Sequence, residues 1–262
     1  MFIIYFIVGL FASTLGAVAG LGGGVIIKPT LDLLGHFDLA TIGILSAATV
    51  LSMASVSLMK CRKNKAMKVD RTTSSIIAVG SIIGGGSGKA LFNLLTISLN
   101  IPTITAIIQS TVLASLLLLI YIYFKKKHKL NTFVLENKLI ILGVGFTLGL
   151  LSAFLGIGGG PINVAILSLF FSMNTKNAGI NSIFIIFFSQ LAALVLIACT
   201  TGYGNSDLSM LYYMIPGGIL GGIIGSTIVT RLSNRHVEKI FNISILFIIG
   251  MNVYNIVKVT LT

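Results

Sequence analysis

Apolar residues run along this chain in blocks too long for strands and too continuous for the amphipathic helices of a soluble domain. They cover 2–20, 25–34, 39–59, 72–95, 103–124, 139–156, 162–171, 178–200, 209–230 and 240–257. A helix needs about 20 apolar residues to cross a bilayer, and most of these blocks have that length. The pattern predicts an all-α membrane protein, a polytopic bundle of about eight transmembrane segments. The blocks 25–34 and 162–171 are too short to span, because about twelve helical residues reach only about 18 Å of a core about 30 Å thick.

Each short block follows a glycine run. Gly20-Leu21-Gly22-Gly23-Gly24 recurs 136 residues later as Gly156-Ile157-Gly158-Gly159-Gly160, followed by Pro161. Other positions keep the register: Gly43-Ile44-Leu45-Ser46 matches Gly179-Ile180-Asn181-Ser182, and Gly80, Gly84 and Gly88 match Gly217, Gly221 and Gly225 with a shift of one. The chain therefore reads as one integral membrane domain of two repeats, 1–130 and 131–262, each a glycine-broken helix or hairpin followed by three spans. Glycines four apart share one helix face and let backbones approach closely, so the two glycine ladders are expected to serve helix packing.

Charge sets an orientation. The composition is 55% hydrophobic and only 9% charged, with mean hydropathy +1.04 and net charge +12, against about 25% charged residues in a soluble domain. The basic residues gather in the loops 60–71, 125–138 and 231–239, whereas 96–102 and 201–208 carry none. Basic loops mark the cytoplasmic side; nucleic-acid binding is not expected. With eight plain spans, all three basic loops cannot share a face. They do if each glycine-broken unit enters and leaves by one face, which makes the two repeats inverted.

Unwound backbone at membrane depth is tolerated only inside protein or along a wet cavity, and paired breaks in two half-sequences point to a transporter's binding site. Short helices starting at Gly24 and Gly160 present unpaired N–H groups and a positive dipole end, suited to an anion. Pro161 fits a first helical turn. The substrate-binding candidates are Gly20, Gly22, Gly23, Gly24, Gly156, Gly158, Gly159, Gly160, Pro161 and Asn163, with Ser46, Thr49, Asn181, Ser182 and Gln190 from neighbouring spans. Ser52, Gln109, Ser110 and Ser189 are further polar positions at membrane depth. For each Ser or Thr, a bond to its own helix carbonyl competes with a solute role. Lys28 has two readings, holding an anion or reaching the outer surface; Lys89, near a helix end, reads as snorkelling.

All six acidic residues and all three histidines fall in loops or at span ends, which argues against a carboxylate relay, a cation site, a metal or catalysis. No cofactor is expected. Cys61 and Cys199 suggest no disulfide. Gly84-Gly85-Gly86-Ser87-Gly88-Lys89-Ala90 mimics a phosphate loop but lacks its ends and lies in an apolar span. Ala17-Val18-Ala19 mimics a signal-peptidase site but has no basic residue before it.

The paired glycine motifs, with Pro29 and Pro161, resemble those of the TauE/SafE family of sulfite-exporter-like permeases. The stretch Gly217-Gly218-Ile219-Leu220-Gly221-Gly222-Ile223-Ile224-Gly225, followed by Arg231, is similar to that family's seventh segment. The resemblance implies an eight-segment bundle moving sulfite, sulfoacetate or a related organosulfonate, usually outward, with the glycine motifs lining the path. Two positions depart from it: Lys28 stands where apolar residues are usual, and Ala165 where a proline matching Pro29 would be. Export of a small anion by such a secondary permease is the function expected, with an anion channel or a non-transporting partner subunit as alternatives.

Overall fold

The structure is a computed structural model that describes residues 2–62, 69–99, 101–127, 132–200, 202–204 and 206–261. Lys63, Lys65, Lys68 and Lys129 of the basic loops lie outside the described residues. Among the described residues ten α-helices follow in order: α1 (Phe2–Ala19), α2 (Gly24–Leu34), α3 (Leu39–Arg62), α4 (Arg71–Asn93), α5 (Pro102–Lys126), α6 (Lys138–Leu155), α7 (Gly160–Phe170), α8 (Thr175–Cys199), α9 (Leu211–Arg231) and α10 (Asn234–Leu261). A π-helical turn, Leu94–Ser98, extends α4. Eight of the ten are long and apolar enough to cross a bilayer. The exceptions are α2 and α7, at 11 residues each. The all-α, eight-segment architecture read from the pattern is what the structure shows.

Both glycine runs break the helix. Gly20, Gly22 and Gly23 have φ of 73°, 81° and 73°, and their counterparts Gly156, Gly158 and Gly159 have 68°, 72° and 76°. A residue with a Cβ pays about 1–2 kcal/mol at each such position, so three such positions within four residues call for glycine. The chain then doubles back. Tyr5 Oη and His36 Nδ1 lie 2.7 Å apart, joining the start of α1 to the end of α2. In the second unit, Phe133 N–H donates to Leu169 O at 2.8 Å and Leu135 N–H to Phe170 O at 3.1 Å, which returns the end of α7 to the segment before α6.

The short arms are the centre of the molecule. Residues 24–29 of α2 and 160–165 of α7 are buried, so their irregular starts meet protein rather than lipid, as a bilayer demands. The long helices surround them and carry the exposed apolar side chains, such as Leu119 on α5 and Ile243 on α10. In water such a surface would aggregate; in lipid it is the solvated face.

Glycine ladders seal the two tightest helix pairs, both parallel. A Cβ at Gly217, Gly221 or Gly225 of α9 would fall 2.6, 2.6 and 2.5 Å from the carbonyl oxygens of Phe6, Leu10 and Thr14 on α1. On α4, a Cβ at Gly80, Gly84 or Gly88 would overlap the carbonyl oxygens of Leu142, Phe146 and Leu150 on α6. The ladders do serve packing, and they pack across the chain: α4 holds α6, and α9 holds α1. Two further contacts run across the chain, α5 packing on α7 and α10 on α2.

One end of the bundle gathers Lys60, Lys127 and Lys176. Lys127 pairs with Glu238 at 3.5 Å, and both touch Thr175. Lys176 donates to the carbonyls of Thr230 and Leu232. Lys60 donates to Ile223 O and Thr227 Oγ1.

Candidate functional site

The two breaks meet face to face. A Cβ on Gly24 would lie 2.9 Å from Ile157 O, and one on Gly160 would overlap Leu21 O. Each short helix therefore starts against the carbonyl of the opposite break's second residue. Neither start has a side-chain cap. Ser182 fastens the junction, its Oγ donating to Gly20 O at 2.8 Å and Gly160 O at 3.3 Å.

A cavity of about 380 Å³ descends to this junction. Its deep wall is made by Ala47, Ser81, Ser152, Gly156, Gly158 and Gln190. Its mouth lies at Leu39, Phe92 and Cys199, the start of α3 and the ends of α4 and α8. Lys60 and Lys176 stand at the opposite ends of α3 and α8, so the cavity opens away from the basic end. Among the described residues no Asp or Glu lines it, whereas Lys28 and Lys89 do.

Lys28, one turn into α2, is 7% exposed. It does not reach the surface. Its ammonium donates to Gln109 Oε1 at 2.6 Å and to Leu155 O at 2.7 Å. Leu155 is the last residue of α6, where carbonyls lose their intrahelical donors; the break thus creates the acceptor that Lys28 uses. Gln109 Nε2 donates in turn to Phe154 O. Lys89 is half-buried, its Nζ 4.8 Å from the Phe92 ring centroid, and faces the cavity rather than simply snorkelling.

The other sequence candidates divide clearly. Gly156, Gly158 and Gln190 line the cavity, as does Ser189. Gln190 Nε2 would be 3.0 Å from a Cβ on Gly158. Gly20, Gly22, Gly23 and Gly24 are buried but not on the cavity wall: Gly20 rests on Gly179, and Gly22 faces Ile186. Gly159, Gly160 and Pro161 are buried just behind the wall, and Asn163 Oδ1 would lie 3.3 Å from a Cβ on Gly159. Ser46 Oγ would be 3.1 Å from a Cβ on Gly24. Thr49 and Ser52 donate to Leu45 O and Thr49 O of their own helix, and Ser110 is half-buried on α5. Asn181 Oδ1 accepts from the Asp70 N–H at 2.8 Å and from Ser74 Oγ at 2.7 Å, tying α8 to the start of α4.

The matched glycines are not equivalent in their surroundings. Gly20 is closed by Gly179, but around Gly156 and Gly43, the counterparts of that pair, the cavity is open. Ser81 and Ser152 on the wall were not singled out from sequence. Ser152 carries a legible signal, since it lies four residues before Gly156 and its carbonyl caps the helix end.

The family described as Sulfite exporter TauE/SafE matches residues 5–253. The chain belongs to the TauE/SafE family. It is 27% identical over 270 residues to the probable membrane transporter protein YunE of Bacillus subtilis, covering 95% of this chain and 96% of that protein. It is also 31% identical over 103 residues to the probable membrane transporter protein MamO of Paramagnetospirillum magneticum, which covers 37% of this chain and 16% of MamO. No solved structure matches it. Family membership and the eight apolar helices make this TauE/SafE chain a multi-pass membrane transporter.

Proposed function

We propose that the chain is a secondary permease of the cell membrane that exports a small anion such as sulfite, sulfoacetate or a related organosulfonate. The observation that carries this reading is the cavity at the second break, lined among the described residues by two lysines and no carboxylate. Polar side chains at membrane depth mark solute paths, and the positive end of α7 adds to the same field. The basic end of the bundle is cytoplasmic by the positive-inside rule, so the cavity faces outward.

The two halves, 1–130 and 131–262, act as inverted repeats. Supporting this, the first hairpin closes at Tyr5–His36 and the second at residues 133–135, and Lys60, Lys127 and Lys176 gather at one end. The contact Gly20–Gly179 is closed while the matching pair, Gly156 and Gly43, is open. Exchanging those two states between the halves gives alternating access. No described residue of the basic end lines the cavity, as a carrier requires and an open channel does not. An interior-negative potential expels one negative charge with about 2.3 kcal/mol per 100 mV, so export needs no coupling ion.

The test is a thermal-shift screen of the purified protein against sulfite, sulfate, sulfoacetate, taurine and thiosulfate, followed by counterflow in proteoliposomes. A ligand at about 100 times its Kd stabilises by about 2.7 kcal/mol. Saturable counterflow of a stabilising anion is the expected result; absence of both effects across the panel overturns the substrate class.

A further inference from the structure

We infer that Lys28, clamped by Gln109 onto the carbonyl end of α6, is the charge-selecting residue of the cavity, with its remaining ammonium N–H directed to the acid group of the solute. The inference rests on the anion reading above and assigns it to one side chain. An ammonium has three donors. Among the described residues, Gln109 Oε1 and Leu155 O take two of them, which leaves a third on a residue that lines the cavity. Both acceptors are neutral. The charged groups that act on Lys28 through space are Asp32, one turn further along α2, and Lys89 across the cavity.

A buried ammonium held only by neutral oxygens retains a large desolvation cost that an incoming anion offsets. The clamp also explains the geometry. Gln109 spends its carbonyl on Lys28 and its amide on Phe154 O, so the ammonium is fixed beside Gly156, where a Cβ would lie 3.2 Å from Nζ. Gly158 and Gln190 stand on the same wall. An acid group placed there meets a fixed cation and an amide, while the apolar wall of Ala47, Ile82, Ala153 and Phe154 accommodates an organic remainder.

Cys199 supplies a reporter that does not depend on knowing the solute, because its thiol is exposed and lines the cavity mouth. In full-length protein in proteoliposomes, with Cys61→Ser to leave one thiol, Cys199 is labelled by 2-sulfonatoethyl or 2-(trimethylammonio)ethyl methanethiosulfonate. The cavity field is expected to favour the anionic over the cationic reagent by about tenfold. Lys28→Met is expected to cut that ratio at least about threefold, with Lys28→Arg retaining it. Lys89→Met, which removes the lysine nearer the mouth and leaves the clamp intact, controls for misfolding of Lys28→Met. A ratio unchanged in Lys28→Met overturns the assignment. If Lys28→Met does not fold, loss of the whole preference in Lys89→Met overturns it, and a preference retained there supports it. A wild-type ratio near one instead removes the anion reading of the cavity itself.

Discussion

At the scale of single residues, the broken helices are a backbone problem solved by glycine. The six left-handed φ values at matching positions explain why the runs recur, and the lack of room explains why their ends are glycine too. Gly160 is not left-handed, yet a Cβ there would overlap the Leu21 carbonyl. Gly160→Ala is therefore expected to lose about 3 kcal/mol or more of stability, since backbone yields less readily than a side chain. Gly35 is left-handed with nothing within 4 Å of a Cβ, so Gly35→Ala is expected to cost only about 1–2 kcal/mol. Thermal unfolding in detergent ranks the two; similar losses would mean that the junction is looser than its geometry implies. Gly158→Ala combines a strained φ with displacement of Gln190, and is expected to leave an inserted, folded protein with anion binding weakened about tenfold or more.

At the scale of elements, the glycine ladders decide which helices pair. On α6, Gly145 and Gly143 are two residues apart but face differently. A Cβ on Gly145 would overlap Ile77 O of α4, whereas one on Gly143 meets nothing within 4 Å. Gly145→Ala is expected to destabilise by about 1–3 kcal/mol. Gly143→Ala is expected to stabilise by up to about 1 kcal/mol, because alanine is the better helix former. Detergent-denaturation midpoints check the opposite signs.

At the scale of the whole molecule, the polar machinery is legible only once the helices are assembled. The thiols provide a test of sidedness. Cys199 lies at the cavity mouth, and Cys61 is buried towards the basic end beside Lys176. A membrane-impermeant maleimide added to intact cells is expected to label Cys199 and spare Cys61. Labelling of Cys199 only after permeabilisation would reverse the orientation and with it the outward-facing assignment.

Much of this was written in the chain. The eight long helices, the two breaks and the packing role of the glycine ladders follow from period, length and spacing, because a bilayer forces every backbone group to be satisfied locally and leaves few alternatives. Family membership followed from the same glycines. The wall of the cavity did not. Of fifteen substrate-binding candidates, Gly156, Gly158 and Gln190 line it; Thr49 turned to its own helix, and Asn181 became a tie between α4 and α8. Lys28 shows the reason most plainly. Its sequence neighbours cannot say whether a long side chain snorkels or turns inward. That choice is made by Gln109 on another helix and by a carbonyl freed where α6 stops, 127 residues away. Local chemistry determines where a membrane chain is helical and where it breaks; which polar groups meet is a property of helix crossings, and only the assembled bundle decides it.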